Sequence, residues 1–345
     1  MKNNILEKRL YLDSLNACNE SCLFCVKQGK TNQGNDYFFT NFEAKNVLAD
    51  KIEEGYQEVV FTGGEPTLRP DLANLIEFSK IIGYQKASIL TNAVNFSDKK
   101  KVLEIYELFS DDFNISFSVS LHSHIRKISE KITNTKNTFS KTVKGIKNLV
   151  KAGFDNISIY HVITVYNYSD LSEFVRFVSR LLRGVEHRTI TFSFIMPQGA
   201  AMDNMDIFPR LSKVEHYLEK ALHECREEGI QHSISTCGTV PLCFLKGNEN
   251  IMIRQQELDR PENIRLVSRN QDEGFQLSTK DFHNKTKIKL EDCKKCLYFK
   301  KCAGIWKVYA EKFGTGELKP ILSKKGKRQR KLLSKPSTQK KAVGQ

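Results

Sequence analysis

Apolar segments of strand length alternate with helical patterns from Leu10 to Ile195, and that alternation restricts the chain to parallel βα units. The strand segments are Leu10 to Leu15, Glu58 to Phe61, Ala87 to Leu90, Ile115 to Leu121, Ile157 to Ile163 and Ile190 to Ile195. Between them, apolar residues recur at helical spacing over Phe42 to Glu54, Asp71 to Ile82, Asp98 to Phe109, Phe139 to Ala152 and Leu171 to Leu182. Gly83 and Gly153 stand just past the second and fourth of these helices, where a left-handed residue stops a helix. In a parallel barrel the loops that follow the strands gather at one end, so polar residues in those loops are candidates for chemistry. They include Thr91-Asn92 after the third strand, Ser118 to His124 closing the fourth, and Met196-Pro-Gln-Gly199 closing the sixth.

The loop after the first strand reads Asn16-Ala-Cys-Asn-Glu-Ser-Cys-Leu-Phe-Cys25, which puts thiols at Cys18, Cys22 and Cys25. Four thiolates close a zinc or iron-sulfur site, whereas three leave one iron of a cubane cluster open to another ligand. A zinc site would want a fourth ligand nearby, but no His occurs from Asn16 to Tyr37 and the next cysteine is Cys225. After the second strand comes Val59-Val-Phe-Thr-Gly-Gly-Glu-Pro66. Gly63 to Pro66 alone describes a strand-to-helix turn. Both motifs in this order, each behind a strand, resemble the radical S-adenosylmethionine (SAM) superfamily, with its CxxxCxxC loop and its GGEP-type motif.

That resemblance implies an α/β fold, a partial (β/α)6 TIM-like barrel from about Leu10 to Pro197, with a small C-terminal iron-sulfur domain. It implies a 4Fe-4S cluster on Cys18, Cys22 and Cys25, with the amino and carboxylate groups of SAM chelating the open iron. Gly63, Gly64, Glu65 and Pro66 then hold the SAM amino group, and Ser120 reaches the ribose or carboxylate. Asn92 lies beside the cofactor, and the ends of the fifth and sixth strands cover the adenine. Phe24, between the second and third cysteines, shields the cluster. Reductive cleavage of SAM yields a 5′-deoxyadenosyl radical that abstracts hydrogen, so the protein supplies orientation and water exclusion more than acid-base groups. His122 and His124 are loop histidines that rank below the cysteines. For Thr91, Asn92 and Ser120, a satisfied polar group at a strand end is the competing reading.

Beyond the barrel, Ser212-Lys-Val-Glu215 reads as a capping box opening a helix to about Glu228, and Cys225 falls on its apolar face. Then follow Cys237-Gly-Thr-Val-Pro-Leu-Cys243 and Cys293-Lys-Lys-Cys296, with Cys302 after five more residues. This second block resembles part of the SPASM extension of radical SAM maturases, which carries auxiliary 4Fe-4S clusters; Trp306 stands where a further cysteine is expected. Cys243, Cys293, Cys296 and Cys302 make one four-thiol set for a second 4Fe-4S cluster, with Cys237 and Cys225 as competing fourth ligands and zinc as the competing metal.

The net charge of +14 is mostly local, since ten Lys or Arg and no acidic residue lie in residues 319–345, leaving +4 for the rest. The organisation expected is a core over 1–210, an auxiliary region over 211–318 and a disordered, solvated tail over 319–345. An RNA-binding arm is the alternative reading of that tail. Nine cysteines without a secretory signal point to a reducing cytoplasm, and no run approaches the ~20 apolar residues of a membrane span. Substrates to be weighed are a ribosomally made peptide, a small metabolite such as a nucleoside or sugar, and RNA. The auxiliary thiols favour the peptide. Against it, the first strand begins by about Leu10 and leaves no room for an N-terminal leader-recognition domain. The electron comes from a low-potential donor such as flavodoxin or ferredoxin.

Overall fold

A computed structural model describes residues 8–27, 39–260, 262–268 and 284–322. The elements run β1 (Lys8–Asp13), α1 (Asn41–Glu53), β2 (Tyr56–Thr62), α2 (Leu72–Ile81), β3 (Lys86–Thr91), α3 (Lys99–Tyr106), β4 (Asn114–Ser120), α4 (Arg126–Ile132) and α5 (Phe139–Ala152). They continue as β5 (Asn156–Ile163), α6 (Leu171–Leu181), β6 (His187–Phe194), α7 (Ala200–Asp203), α8 (Leu211–Glu227), β7 (Gln231–Ile234), α9 (Glu249–Leu258) and β8 (Ile264–Val267). A short antiparallel pair, β9 (Lys287–Ile288) and β10 (Ile305–Trp306), leads into α10 (Lys307–Phe313).

All eight long-range strand partners pair in parallel, in the order β7-β6-β5-β4-β3-β2-β1-β8. The expected TIM-like α/β fold is thus present, with β7 and β8 added at its two edges. The sheet curls. Arg9 on β1 pairs with Asp259 after α9 at 2.8 Å, and Asp259 also accepts the Thr236 hydroxyl, just past β7, at 2.7 Å. Outward-facing residues such as Leu10, Val59, Phe61, Ala87, Ile89 and Ile115 are fully buried under the helices. α6 shows why: Leu171, Phe174, Val175 and Val178 recur along one face and are buried there. Gly83 and Gly153 adopt positive φ, 103° and 95°, past α2 and α5.

Residues of α8, β7 and α10 join the same buried cluster as the barrel strands. The capping box expected at Ser212 does not form. The helix already begins at Leu211, and its free N–H groups find partners from the C-terminal segment: Leu211 N–H donates to Tyr309 Oη at 2.7 Å and Ser212 N–H to Glu317 at 2.7 Å. Glu215 turns instead to Lys246. From residue 323 onward the basic tail lies outside the described residues.

Candidate active site

The cysteine loop is clasped at the carboxyl ends of the strands. From the β2 side, Gly64 N–H donates to Leu15 O at 2.7 Å and Glu65 N–H to Ala17 O at 2.8 Å. The approach is so close that a Cβ on Gly64 would fall 2.0 Å from Ala17 O, and one on Gly63, at φ 141°, 2.5 Å from Leu15 O. From the end of α4, Thr133 O accepts Ser21 N–H at 3.2 Å and Ile132 O accepts Leu23 N–H at 3.0 Å. From the β6 side, Ala200 N–H donates to Cys25 O at 2.8 Å. Lys27, two residues past Cys25, closes the loop base with its Nζ 2.6 Å from Asp13. Cys18 is buried, and Cys22 and Cys25 are half-buried.

Glu65 departs from its expected role. Its carboxylate is buried and accepts from Thr67 N–H (3.1 Å), Thr67 Oγ1 (2.6 Å), Thr91 Oγ1 (2.7 Å) and Asn92 N–H (2.7 Å). Burial pushes the carboxyl pKa up, against these hydrogen bonds, which pull it down. A side chain so occupied knits the β2 and β3 loops together. Pro66 begins the short turn Pro66–Leu68 that Glu65 caps. Asn92 likewise donates its side-chain amide to Asn19, inside the cysteine loop, at 2.5 Å. Thr91 is used by Glu65, as the strand-end reading foresaw. Ser120 ends β4 half-buried and opposite Tyr160.

Phe24 meets His122 edge to face, ring centroids 4.8 Å apart, and packs with Leu23 against Val162, Ile195 and Phe208. His122 is buried, and its Nδ1 accepts Val162 N–H at 3.2 Å, which puts the neutral ring's proton on Nε2. His161, beneath it, lies 3.1 Å from Leu121 O through Nδ1 and 3.2 Å from Asn167 Nδ2 through Nε2. Desolvation takes both pKa values down to about 3. His124 turns toward Phe177 of α6, with ring centroids 6.3 Å apart.

The inner wall of the barrel is polar, which the strand assignment did not anticipate. Ser88 Oγ donates to Glu58 at 2.6 Å and lies 2.6 Å from Ser116 Oγ; Thr191 and Ser233 pair at 2.9 Å. Tyr160 Oη lies 2.9 Å from Ser193 Oγ and 2.8 Å from Ser235 Oγ. The signal was in the sequence, because Ile115-Ser-Phe-Ser-Val-Ser120 alternates whereas parallel strands covered on both faces are continuously apolar.

The C-terminal thiols divide into groups. Burial, then the charges of Cys302, Cys296 and Cys293, push the Cys243 thiol up to about 11, so these four lie within electrostatic reach of one another. Cys243 also opens onto a cleft of about 260 Å³ between Ser212, Phe244 and Glu317. Cys225 is instead in the core of α8, its thiol pushed up to about 12 by burial. Cys237 is exposed, near Asp259 and Lys287. Lys287 is buried beside the Trp306 ring, and desolvation lowers its amine to about 7. Among the described residues no three His, Cys, Asp or Glu side chains converge on a point for a single metal ion, which a cubane does not require, since each thiolate binds its own iron.

Residues 13–178 match the model of the radical SAM superfamily. That stretch is a radical SAM domain. A domain of this kind implies a 4Fe-4S cluster and SAM, and the donor set fits: three thiols on one fixed loop beside a glycine seam. A probable GTP 3′,8-cyclase of Sulfurisphaera tokodaii is 31% identical over 203 residues, 59% of this chain and 61% of that protein. One of Saccharolobus solfataricus is 29% identical over 204 residues, 59% and 62% of the two chains. The chain thus spans about three fifths of the length of these curated relatives. Among solved structures, Streptococcus suis SuiB bound to precursor peptide SuiA gives a TM-score of 0.53 at 17% identity, covering 67% of this chain and 49% of SuiB. The protein anSMEcpe, solved with AdoMet and a Cp18Cys peptide, gives 0.55 at 14% identity over 94% of this chain and 95% of its own. At such identities the likeness is one of fold. No helix among the described residues is long and apolar enough to cross a membrane.

Proposed function

We propose that this enzyme ligates its 4Fe-4S cluster through Cys18, Cys22 and Cys25, binds SAM against it, and abstracts hydrogen from a peptide. The clasp on the cysteine loop carries the reading, because a loop fixed from β2, α4 and β6 presents three thiols in one orientation, and three ligands would leave the fourth iron to SAM. When bound, the cluster supplies the electron that cleaves SAM to methionine and a 5′-deoxyadenosyl radical. The Gly63-Gly64 backbone receives the SAM amino group while Glu65 fixes that backbone from behind. Asn92 and Ser120 border the ribose and carboxylate, and Phe24 with its apolar neighbours excludes water from the cluster. In residues 211–318, Cys243, Cys293, Cys296 and Cys302 would hold a second 4Fe-4S cluster, which would supply an acceptor for the electron left after hydrogen abstraction. A low-potential donor such as flavodoxin or ferredoxin starts the cycle.

A peptide substrate is supported by the fold likeness that runs through 94% of the chain, and so into the C-terminal thiols, to a protein solved with a peptide. A nucleotide is the second reading, supported by relatives named GTP 3′,8-cyclases, whose match extends over 203 residues. The deciding experiment measures 5′-deoxyadenosine under dithionite with either GTP or a pool of synthetic cysteine-containing peptides, in wild type, Cys22→Ala and Cys296→Ala. Peptides should raise turnover and change mass; Cys22→Ala should yield no deoxyadenosine, and Cys296→Ala should cleave SAM without modifying peptide. Stimulation by GTP alone would overturn the peptide reading, and wild-type cleavage by Cys22→Ala would overturn the assignment of the cluster loop.

A further inference from the structure

The β9–β10 pair buries a lysine whose ammonium has no hydrogen-bond partner among the described residues. Lys287 is 5% exposed, and its Nζ sits 4.0 Å over the ring of Trp306, the residue directly across the pair. The attraction of a desolvated cation to an indole face falls short of what removing an ammonium from water costs. A charged Lys287 therefore wants an anion. Across the pair, a Cβ on Gly304 would fall 2.3 Å from Ile288 O, and Gly304 N–H donates to Cys302 Sγ at 3.4 Å, so Cys302, one of the four-thiol set, lies beside β9, where its charge and that of Cys237 favour the ammonium.

We propose that Lys287 is the counter-charge of the iron-sulfur group held through Cys302, a positioning residue that sets how readily this group accepts an electron. The inference rests on the second-cluster reading above. A ligating Cys302 is a thiolate, and iron bound by four thiolates is an anionic group whose reduction adds more negative charge. A fixed cation nearby favours the reduced form, and most strongly where water is excluded to screen it. Trp306, itself 5% exposed, supplies that exclusion. It stands where the resembling extension would carry a further cysteine, so at this position the chain has a platform for a cation in place of a thiolate.

The test uses the full-length chain with Cys18, Cys22 and Cys25 all changed to Ala, so that only the C-terminal group remains. After anaerobic reconstitution it should bind about four irons. In an EPR-monitored redox titration, Lys287→Met should shift the reduction equilibrium about tenfold toward the oxidised form, about 59 mV for a one-electron couple. Lys287→Arg should stay near the parent. Iron-free Lys287→Met should melt no lower than its parent, since an unpartnered ammonium has become an apolar side chain, which separates a charge effect from a loss of fold. Loss of iron from both Lys287→Met and Lys287→Gln, with retention in Lys287→Arg, would support the same conclusion through occupancy. Bound iron with an unchanged potential in Lys287→Met would overturn the inference alone. Zinc, or no metal, in the triple-alanine parent would overturn the second-cluster reading and this inference with it.

Discussion

Replacing Gly64 with alanine tests whether the glycine seam sets the position of the cysteine loop. The added Cβ would lie 2.0 Å from Ala17 O and 2.4 Å from Asn16 O. Ordinary contact is about 3.5 Å, so the loops must separate by about 1.5 Å. That breaks the seam made by Gly64 N–H to Leu15 O and Glu65 N–H to Ala17 O. Two hydrogen bonds lost cost about 1–3 kcal/mol together, and the overpacking adds about 1–3 kcal/mol. A domain of ordinary stability survives such a loss in folded form. A displacement of about 1 Å in a positioning loop costs about a hundredfold in rate, and the shift expected here is larger. Deoxyadenosine formation should therefore fall by about a hundredfold or more, with iron content reduced and the melting temperature lowered. Gly316→Ala is the control, because a Cβ there meets nothing within 4 Å. A folded Gly64→Ala protein with wild-type iron, rate and melting temperature would refute the claim that this approach positions the thiols.

Two further perturbations probe the scaffold. His122 and His161 have pKa values of about 3 in the fold against about 6.5 unfolded, so between those values the unfolded chain holds more protons and stability falls as pH drops, by up to about 1.4 kcal/mol per pH unit for each histidine. Urea midpoints measured from about pH 7 to pH 5 should show that slope, reduced by about half in a folded His161→Gln variant; a flat wild-type profile would contradict the burial of neutral rings. Tyr309→Phe removes the acceptor of Leu211 N–H and the donor to Glu317, and should cost about 1–3 kcal/mol in a thermal melt while leaving SAM cleavage intact. An unchanged melt would mean that the C-terminal segment does not cap α8.

The strands of the barrel were legible because one face of each must be apolar wherever helices cover it, as in Ile115, Phe117 and Val119. The opposite face was not, since Ser116 and Ser118 alternate with those residues in the way of a sheet wetted on one side; only the curl of the sheet turns that wet side inward. β7 and β8 escaped notice because each is Gln231–Ile234 or Ile264–Val267, a run too short for periodicity to register. The Ser212–Glu215 pattern failed for a related reason. A capping box is defined by residues on one stretch of chain, but which residue is the cap depends on where the helix starts, and Tyr309 and Glu317 had already taken those N–H groups from about a hundred residues away. The thiol loop stood out because its spacing is local. Lys287 did not, because its meaning comes from Trp306, Cys302 and the loss of water, none of which is adjacent in sequence.

Glu65 shows how a motif can identify a site while misleading about a side chain. Spacing reports that a glutamate follows two glycines beside the cysteine loop; it is silent on direction. The direction follows from the neighbours. Pro66 and the turn to Leu68 place Thr67 N–H where only the Glu65 carboxylate can accept it, and β3 presents Thr91 Oγ1 and Asn92 N–H to the same carboxylate from the other side. Once those donors are engaged, turning the carboxylate toward a ligand would leave buried N–H and O–H groups unpaired, at about 1–3 kcal/mol each. Asn92, carrying one of those N–H groups, sends its own amide to Asn19 in the cysteine loop. The loops after β1, β2 and β3 are therefore one hydrogen-bonded unit. In such a unit, loss of the glutamate should move the thiols and the glycine seam together.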